Sequence, residues 1–167
     1  MTMLEQQLEA QIVSAIEALG LSGLTVRGAW QSVFAGNVKN LEEPEDAAIL
    51  DVAVSPRSFD SFAHPAVTFD VALSLTIRSD VYPSGAALSG FAGPVLDLIS
   101  SWNLALFANG SDCGLAVEGV FAPGGLQLMG GSAPDYGEGR WTIGINFTLK
   151  GTLLSGFTTN QQEDSNV

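Results

Sequence analysis

The longest regular pattern in this chain is an alternation of apolar and polar residues over positions 67–78, V-T-F-D-V-A-L-S-L-T-I-R. Apolar residues from Val67 to Ile77 occupy every second position, and mostly polar residues stand between them. A period of two sustained over this length predicts a long strand with one apolar face and one polar face. Such a strand is typical of an antiparallel sheet that is covered on one side only.

Other stretches with strand-like patterns follow the same logic. A second long alternation has the apolar positions Trp141, Ile143, Ile145, Phe147 and Leu149. Shorter strands are predicted at residues 24–34, 47–55, 115–121 and 126–129. Gly28 interrupts the first of these and suggests a bulge, whereas Pro123-Gly124-Gly125 predicts a hairpin turn between the last two.

Apolar residues spaced by three or four positions predict two amphipathic helices. The first covers residues 2–19, with Thr2 as its N-cap and Gly20 at its end. The second runs from about Leu88 to Trp102 after the N-cap Ser84. Pro94 stands inside this pattern, so we expect it to kink the helix or divide it near Gly93. The two apolar stripes are Leu4, Leu8, Ile12, Ile16 and Leu19, and Leu88, Phe91, Val95, Leu98, Ile99 and Trp102.

The order of elements is helix, three strands, helix, three strands. It predicts an α+β fold, specifically a two-layer sandwich in which a mostly one-sided antiparallel sheet carries both helices on one face. We expect one domain over residues 1–157 and a polar, disordered tail over residues 158–167.

The net charge of the chain argues against one class of function, the binding of nucleic acids. The 167 residues include 6 basic and 18 acidic ones, a formal charge of −12, yet only 14% are charged, against about 25% in an average domain. Such a surface repels phosphate, which argues against binding to a nucleic-acid backbone. The low charge content has two interpretations that stay open: part of the surface is covered by other chains, or abundant alanine and glycine dilute the charges.

The cysteine count and the absence of a recognisable signal peptide or membrane span bear on where the protein is expected to be found. Cys113 is the only cysteine, so no internal disulfide framework or cysteine-based zinc site is expected, and a reducing compartment fits. The first twenty residues contain Glu5, Glu9 and Glu17 but no Lys or Arg, unlike a signal peptide. No apolar run approaches the ~20 residues that span a bilayer, so we expect no membrane partner.

Catalytic and metal-binding patterns are also lacking. His64 is the only histidine, and although Asp60 and Asp70 are near it in sequence, an ordinary turn residue is the favoured interpretation. No G-x-S-x-G elbow, dinucleotide fingerprint or P-loop occurs, and the acidic segment 42–46 lacks the spacing of a calcium loop. We therefore expect no catalytic residue, metal or cofactor.

On its element order the chain resembles a known family over about residues 2–154. The stretches that carry the likeness are V-T-F-D-V-A-L-S-L-T-I-R, D-V-Y-P-S, L-I-S-S-W-N and R-W-T-I-G-I-N-F-T-L-K-G. Together they look like the tail terminator or tail-completion proteins of long-tailed bacteriophages. The resemblance implies a structural virion protein of the tail or neck, assembled in the host cytoplasm. It also implies a ring, usually hexameric, that caps the tail tube and joins it to the head connector, and a protein that is not an enzyme.

The implied partners are further copies of the chain, the tail tube protein, the head–tail connector or neck protein, and DNA that passes through the lumen without specific binding. Contact residues are expected in loops: Phe59 and Phe62 as anchors, and the charged or aromatic residues of the flexible loop 130–140 as a mobile contact. These last residues are Asp135, Tyr136, Glu138 and Arg140. The plainer alternative for all six is a place in the core or in a solvated loop.

The acidic segment has two interpretations of its own. It is either a solvated connection or, by hypothesis, part of a lumen surface that repels DNA and lets it slide. Its acidic residues are Glu42, Glu43, Glu45 and Asp46.

Two other functions remain open at this stage. A neck or head-to-tail adaptor, or a tube subunit, would have similar elements, and a tube protein would polymerise alone. From a different class, a small-ligand-binding or hot-dog-like acyl-thioester domain would need a pocket with convergent polar groups, for which His64 and Asp70 are the candidates.

Overall fold

A computed structural model describes residues 3–34, 46–59, 65–109 and 113–154, which form an α+β fold with a mixed sheet of seven strands. The helices within these ranges are α1 (Leu4–Glu17), α2 (Ala29–Phe34) and α3 (Ala87–Asn109). The strands are β1 (Leu24–Gly28), β2 (Ala48–Val54), β3 (Ser58–Phe59), β4 (Ala66–Arg78), β5 (Phe121–Met129), β6 (Asp135–Gly137) and β7 (Arg140–Leu153).

The two long strands predicted from alternation, β4 and β7, lie side by side at the centre of the sheet. They pair in antiparallel register from Ala66 opposite Thr152 to Arg78 opposite Arg140. The main strand order is β1-β2-β4-β7-β5, with β3 also paired to β4 and β6 also paired to β7. The prediction of these strands is confirmed.

The prediction of an antiparallel sheet is wrong at one edge. Strand β1 pairs with β2 in parallel, with Leu24 opposite Ala48. The predicted first strand, residues 24–34, stops at Gly28, and helix α2 follows it directly. Parallel neighbours need a crossover instead of a tight hairpin, and α2 forms part of the chain between β1 and β2.

The alternation in β4 matches its burial. From Val67 to Ile77 every apolar residue is buried, whereas Asp70, Ala72 and Ser74 on the other parity are exposed. The buried stripes of α1 and α3 belong to the same hydrophobic cluster as this face of β4. The helices and the inward face of the sheet therefore share one core.

Helix α1 begins one residue later than predicted from its cap. Its N-cap is Met3, which makes no side-chain capping hydrogen bond, while the predicted cap Thr2 lies outside the described residues. Beyond the helix end, Gly20 has a φ of 66°, the left-handed conformation that glycine adopts without a steric penalty.

Helix α3 does not divide at Pro94. It continues to Asn109, past the predicted end near Trp102. An internal proline costs roughly 3 kcal/mol in an isolated helix. Here the helix buries Leu88 and Ala92 before the proline, and Val95 and Ile99 after it, so burial on both sides holds the element together.

Three predictions about the second half of the chain are wrong. Residues Pro123, Gly124 and Gly125 lie inside β5 as an irregularity in its pairing with β7, not in a hairpin turn. Proline is tolerated there because β5 is an edge strand of the main path and one side of its backbone is unpaired. Residues 115–121 form no strand of their own: Val117 and Phe121 make an isolated bridge around a turn.

The third error concerns residues 130–140, which were expected to be a flexible loop. They contain strand β6, which pairs with the start of β7. The predicted tail 158–167 lies outside the described residues.

Candidate functional site

The hairpin formed by β6 and β7 brings together four of the residues predicted to make contacts. Asp135 is opposite Thr142, Tyr136 opposite Trp141, and Gly137 opposite Arg140. The two turn residues have positive φ, 54° at Glu138 and 73° at Gly139. Positive φ at both central positions is the conformation that a two-residue hairpin turn requires. The expected mobile contact is therefore a regular hairpin.

Tyr136 is the apolar centre of this hairpin. Its ring lies against that of Trp141, with centroids 4.5 Å apart and an interplanar angle of 50°. Tyr136 is 51% exposed. Asp135 accepts a hydrogen bond from the Tyr136 N–H at 2.8 Å. An exposed aromatic ring held by a half-buried tryptophan is a preorganised contact residue.

Phe59 lies far from the hairpin. It forms part of β3 opposite Val67, near the start of β4, and is 54% exposed. The hairpin turn lies beside Arg78 and Arg140, at the other end of β4. Val67 and Arg78 are about 35 Å apart at ~3.3 Å per strand residue. Phe62, the second predicted anchor, lies outside the described residues.

Two further exposed apolar residues near the C-terminal end of α3 were missed by sequence reasoning. Leu104 is 65% exposed and Phe107 is 89% exposed. The sequence pattern predicts the end of this helix near Trp102, which leaves both residues outside it. The sequence does contain a signal for their exposure. If the apolar stripe of α3 is continued past Trp102, it passes through the buried Leu106 and not through Leu104 or Phe107.

The direction of α3 places Leu104 and Phe107 toward the Phe59 end of the sheet. Earlier in the helix Phe91 contacts Tyr82, which follows the end of β4, and later Trp102 contacts Phe147, the partner of Val71. The helix thus runs from the hairpin end of the sheet toward the start of β4. Exposed aromatic residues therefore lie at both ends of the β4–β7 pair, with Tyr136 at one end and Phe59 at the other.

A shallow groove of about 520 Å³ lies across the polar face of the sheet. Asp70 is its acidic residue, and Ser55 accepts a hydrogen bond from the Asp70 N–H at 3.0 Å. The other polar groups on its lining are the side chains of Asn146 and Thr148. His64, proposed as the partner of Asp70, lies outside the described residues, so the predicted pair is not tested.

Helix α1 buries two carboxylates one turn apart, which sequence reasoning also missed. Glu5 and Glu9 are each only 1% exposed. The guanidinium of Arg57 contacts both oxygens of Glu5, at 2.5 Å and 3.1 Å. Burial alone would raise the pKa of Glu5, but the hydrogen bonds and charge of Arg57 outweigh it and lower that pKa.

Glu9 has a different environment. Its Oε1 accepts hydrogen bonds from the backbone N–H of Trp30 at 2.8 Å and of Gln31 at 3.4 Å. Burial raises the pKa of Glu9, and these N–H groups act in the opposite direction without cancelling the effect. The two acids therefore differ in the sign of their pKa shift.

The acidic segment is mostly outside the described residues: this applies to Glu42, Glu43 and Glu45, whereas Asp46 is exposed. Within the described ranges no three His, Cys, Asp or Glu side chains are grouped so that they could hold a metal ion. None of the helices in that part of the chain is long and apolar enough to cross a membrane.

Comparison with models of known protein families finds none that matches this chain, and no curated protein matches it either.

Proposed function

We propose that this chain is a structural virion protein of a tailed bacteriophage, a tail terminator or tail-completion subunit. In this role it forms a ring, expected to be a hexamer, that caps the tail tube and joins it to the head connector. The observation that carries the proposal is the presence of exposed apolar side chains at opposite ends of the β4–β7 pair. Tyr136 lies in the hairpin at one end, Phe59 lies in β3 beside the start of β4 at the other, and α3 runs toward that second end with Leu104 and Phe107 exposed.

A closed ring built head to tail needs two different contact patches on each subunit. In a head-to-tail assembly each subunit uses one patch to contact a different patch on its neighbour, whereas a two-fold dimer uses one patch twice. Patches on opposite ends of a long sheet leave its polar face free for another contact. A two-layer arrangement, with the helices on the opposite face, fits this use of the sheet.

The charge of the chain supports the proposed environment. A net charge of −12 repels DNA, so a lumen lined by acidic groups would let DNA pass without binding. The tail tube and the head connector are the proposed protein partners, and the protein has no catalytic role in this proposal.

The test is the solution mass of the purified protein by light scattering over a wide range of concentration, followed by negative-stain imaging. We expect a discrete ring, or a monomer that forms rings when tail tubes are added. Open-ended tubes formed by the protein alone would indicate a tube subunit instead. A species that stays monomeric or dimeric and ignores tail tubes would contradict the proposal.

Two variants test the head-to-tail geometry directly. Tyr136→Ser should damage one patch and Phe59→Ser the other, so neither protein should form rings alone. An equimolar mixture retains one intact pairing and should form heterodimers without rings. Met3→Ser is the matched control, since Met3 is exposed and serine is favourable at its N-cap position; it should assemble like the parent. Rings formed by a single variant would exclude the residue that it replaces as a contact needed for assembly.

A neck or head-to-tail adaptor, or a tube subunit, is the nearest alternative, and a tube subunit would polymerise alone. The groove that contains Asp70 favours a second candidate, a small-ligand-binding or hot-dog-like acyl-thioester domain. Its test is a thermal shift with a panel of fatty acids and acyl thioesters. A ligand that raises the Tm of the parent protein but not of Asp70→Asn would support it.

A further inference from the structure

Glu138, at the tip of the β6–β7 hairpin, has a backbone conformation that its residue type disfavours. Its φ of 54° lies in the left-handed region, and within the described ranges every other residue with positive φ is a glycine. The first central position of such a turn prefers asparagine, aspartate or glycine, because most side chains incur a steric penalty there. A glutamate at this position indicates a role outside the folding of the isolated subunit.

The carboxylate of Glu138 has no charged partner within its own subunit. Glu138 is exposed, and none of the ion pairs in the described part of the chain includes it. Arg140 is two residues away on the same hairpin, but it is half-buried and does not pair with Glu138. Arg78, which is opposite Arg140, is already paired with Asp80. The negative charge at the tip is therefore available to a neighbouring molecule.

Elimination identifies the cation on a second copy that would match this charge. Three basic residues in the described ranges are already paired with carboxylates: Arg27 with Asp51, Arg57 with Glu5, and Arg78 with Asp80. Arg140 belongs to the hairpin itself, and Lys39 lies outside the described ranges. Lys150 is left: it is exposed and forms no ion pair within those ranges, although Asp70 is diagonal to it in the register of β4 and β7.

Glu138 and Lys150 lie at opposite ends of β7. Lys150 is opposite Thr68 on β4, next to Val67, the partner of Phe59. Arg140 and Lys150 are about 33 Å apart at ~3.3 Å per strand residue, too far for Glu138 and Lys150 to meet within one subunit. One end of the sheet thus has an exposed aromatic residue near a carboxylate, and the other has an exposed aromatic residue near a cation.

We propose that Glu138 of one copy pairs with Lys150 of the next copy in a head-to-tail contact. This inference rests on the proposed ring and names an ion pair that fixes the orientation of neighbouring subunits. Like charges brought together at an interface are costly. A two-fold contact between hairpin ends would bring two Glu138 carboxylates together, and one between the other ends would bring two Lys150 side chains together. The opposite charges therefore favour the head-to-tail contact over a two-fold one.

The test is sedimentation velocity of charge-reversal variants over a wide range of concentration, alone and with added tail tubes. Glu138→Lys and Lys150→Glu each create a like-charge contact and should weaken assembly by at least about tenfold. Combining the two substitutions restores an opposite pair and should recover most of the assembly of the parent. Glu17→Lys combined with Lys150→Glu has the same net charge but reverses an exposed glutamate on α1, so it should not recover assembly.

The outcomes separate this pair from the ring. Rings that withstand both single reversals would overturn the pair and leave the ring intact. Open chains that are lost in the single variants and restored in the combined one would support the pair and contradict the ring. A parent that assembles under neither condition would overturn both.

Glu138→Asn separates the contact from the folding of the subunit. Asparagine suits the first central position of this turn but has no charge. We expect the Tm, measured at a concentration where the parent is monomeric, to rise while assembly weakens. A fall in Tm would show that Glu138 serves the fold of the subunit, and unchanged assembly would show that its charge makes no contact; either result would overturn the proposal.

Discussion

The two long helices of this protein differ in which residues they bury. Helix α1 encloses two glutamates, Glu5 and Glu9, whereas the last turns of α3 expose Leu104 and Phe107. Both patterns of burial are unusual. Glutamate is rarely buried unless it is paired, and an exposed cluster of large apolar residues marks an interaction surface.

The difference shows that local partners decide burial as much as residue type does. Glu5 has a guanidinium beside it and Glu9 has two backbone N–H groups, so each carboxylate keeps hydrogen bonds inside the protein. Leu104 and Phe107 lie off the stripe of α3 that packs on the sheet. Three substitutions test this comparison, in order of decreasing expected effect.

The largest effect is expected for Arg57→Met, which leaves Glu5 buried without its partner. Breaking a buried ion pair from one side costs about 3–5 kcal/mol, measured as the free energy of unfolding in urea at pH 7. The control is Arg78→Met, which breaks the exposed pair with Asp80 and should cost less than about 1 kcal/mol. Equal losses in the two variants would show that Glu5 is not desolvated in solution.

The same variant predicts a dependence on pH. Burial alone would raise the pKa of Glu5, but Arg57 lowers it below the ordinary value of 4.5. The stabilisation from the pair is therefore present above pH 4.5 and is lost as the pH falls through the lowered pKa. The stability difference between the parent and Arg57→Met should therefore shrink in acid.

A smaller effect is expected for Gly28→Ala. The added Cβ would collide with the carboxylate of Glu9, and overpacking of this kind costs about 1–3 kcal/mol. In a double-mutant cycle, Glu9→Ala should remove much of that cost because the colliding group is gone. Gly90→Ala, where nothing lies within 4 Å of the new Cβ, is the control and should stabilise α3 by roughly 0.5–1 kcal/mol. If the losses in the free energy of unfolding caused by Gly28→Ala and Glu9→Ala are additive, the predicted contact between these two residues is wrong.

The smallest effect on stability is expected for Phe107→Ser. An exposed substitution usually changes the free energy of unfolding by less than about 0.5 kcal/mol, although the same change should weaken assembly if the Phe59 end is a subunit contact. Ile99→Ser, on the buried stripe of α3, is the matched control and should be strongly destabilising. A loss above about 1 kcal/mol for Phe107→Ser would show that the ring is covered within the folded monomer.

Much of the secondary structure could be predicted because its signal is local. The alternation in β4 and β7 and the stripe of α1 are repeated over many residues, so a single exception does not obscure them. Helix α2 was missed because six residues carry too short a pattern, and Thr25, Val26 and Trp30 together favour a strand. The hairpin at Asp135–Gly137 was missed because its glycines and charges have no apolar period.

For the candidate contact residues, too, the sequence predicts one part of the picture and the tertiary structure decides the other. The sequence context of Phe59 and of the hairpin residues predicts contacts for them, but their separation onto opposite ends of the sheet depends on the pairing of β3 and β6 with distant strands. The exposure of Leu104 and Phe107 depends on how far α3 continues beyond Pro94, which its packing decides.

The sequence by itself determined that this protein has an α+β fold with two long alternating strands and a large negative charge, because periodicity and composition belong to the chain and need no partner. Only the tertiary structure decided the parallel pairing of β1, the continuity of α3 through Pro94, and the opposite environments of Glu5 and Glu9. Each of these depends on groups distant in sequence, such as Arg57 for Glu5 and the Trp30 N–H for Glu9. Their free energy comes from contacts that exist only once the chain has folded.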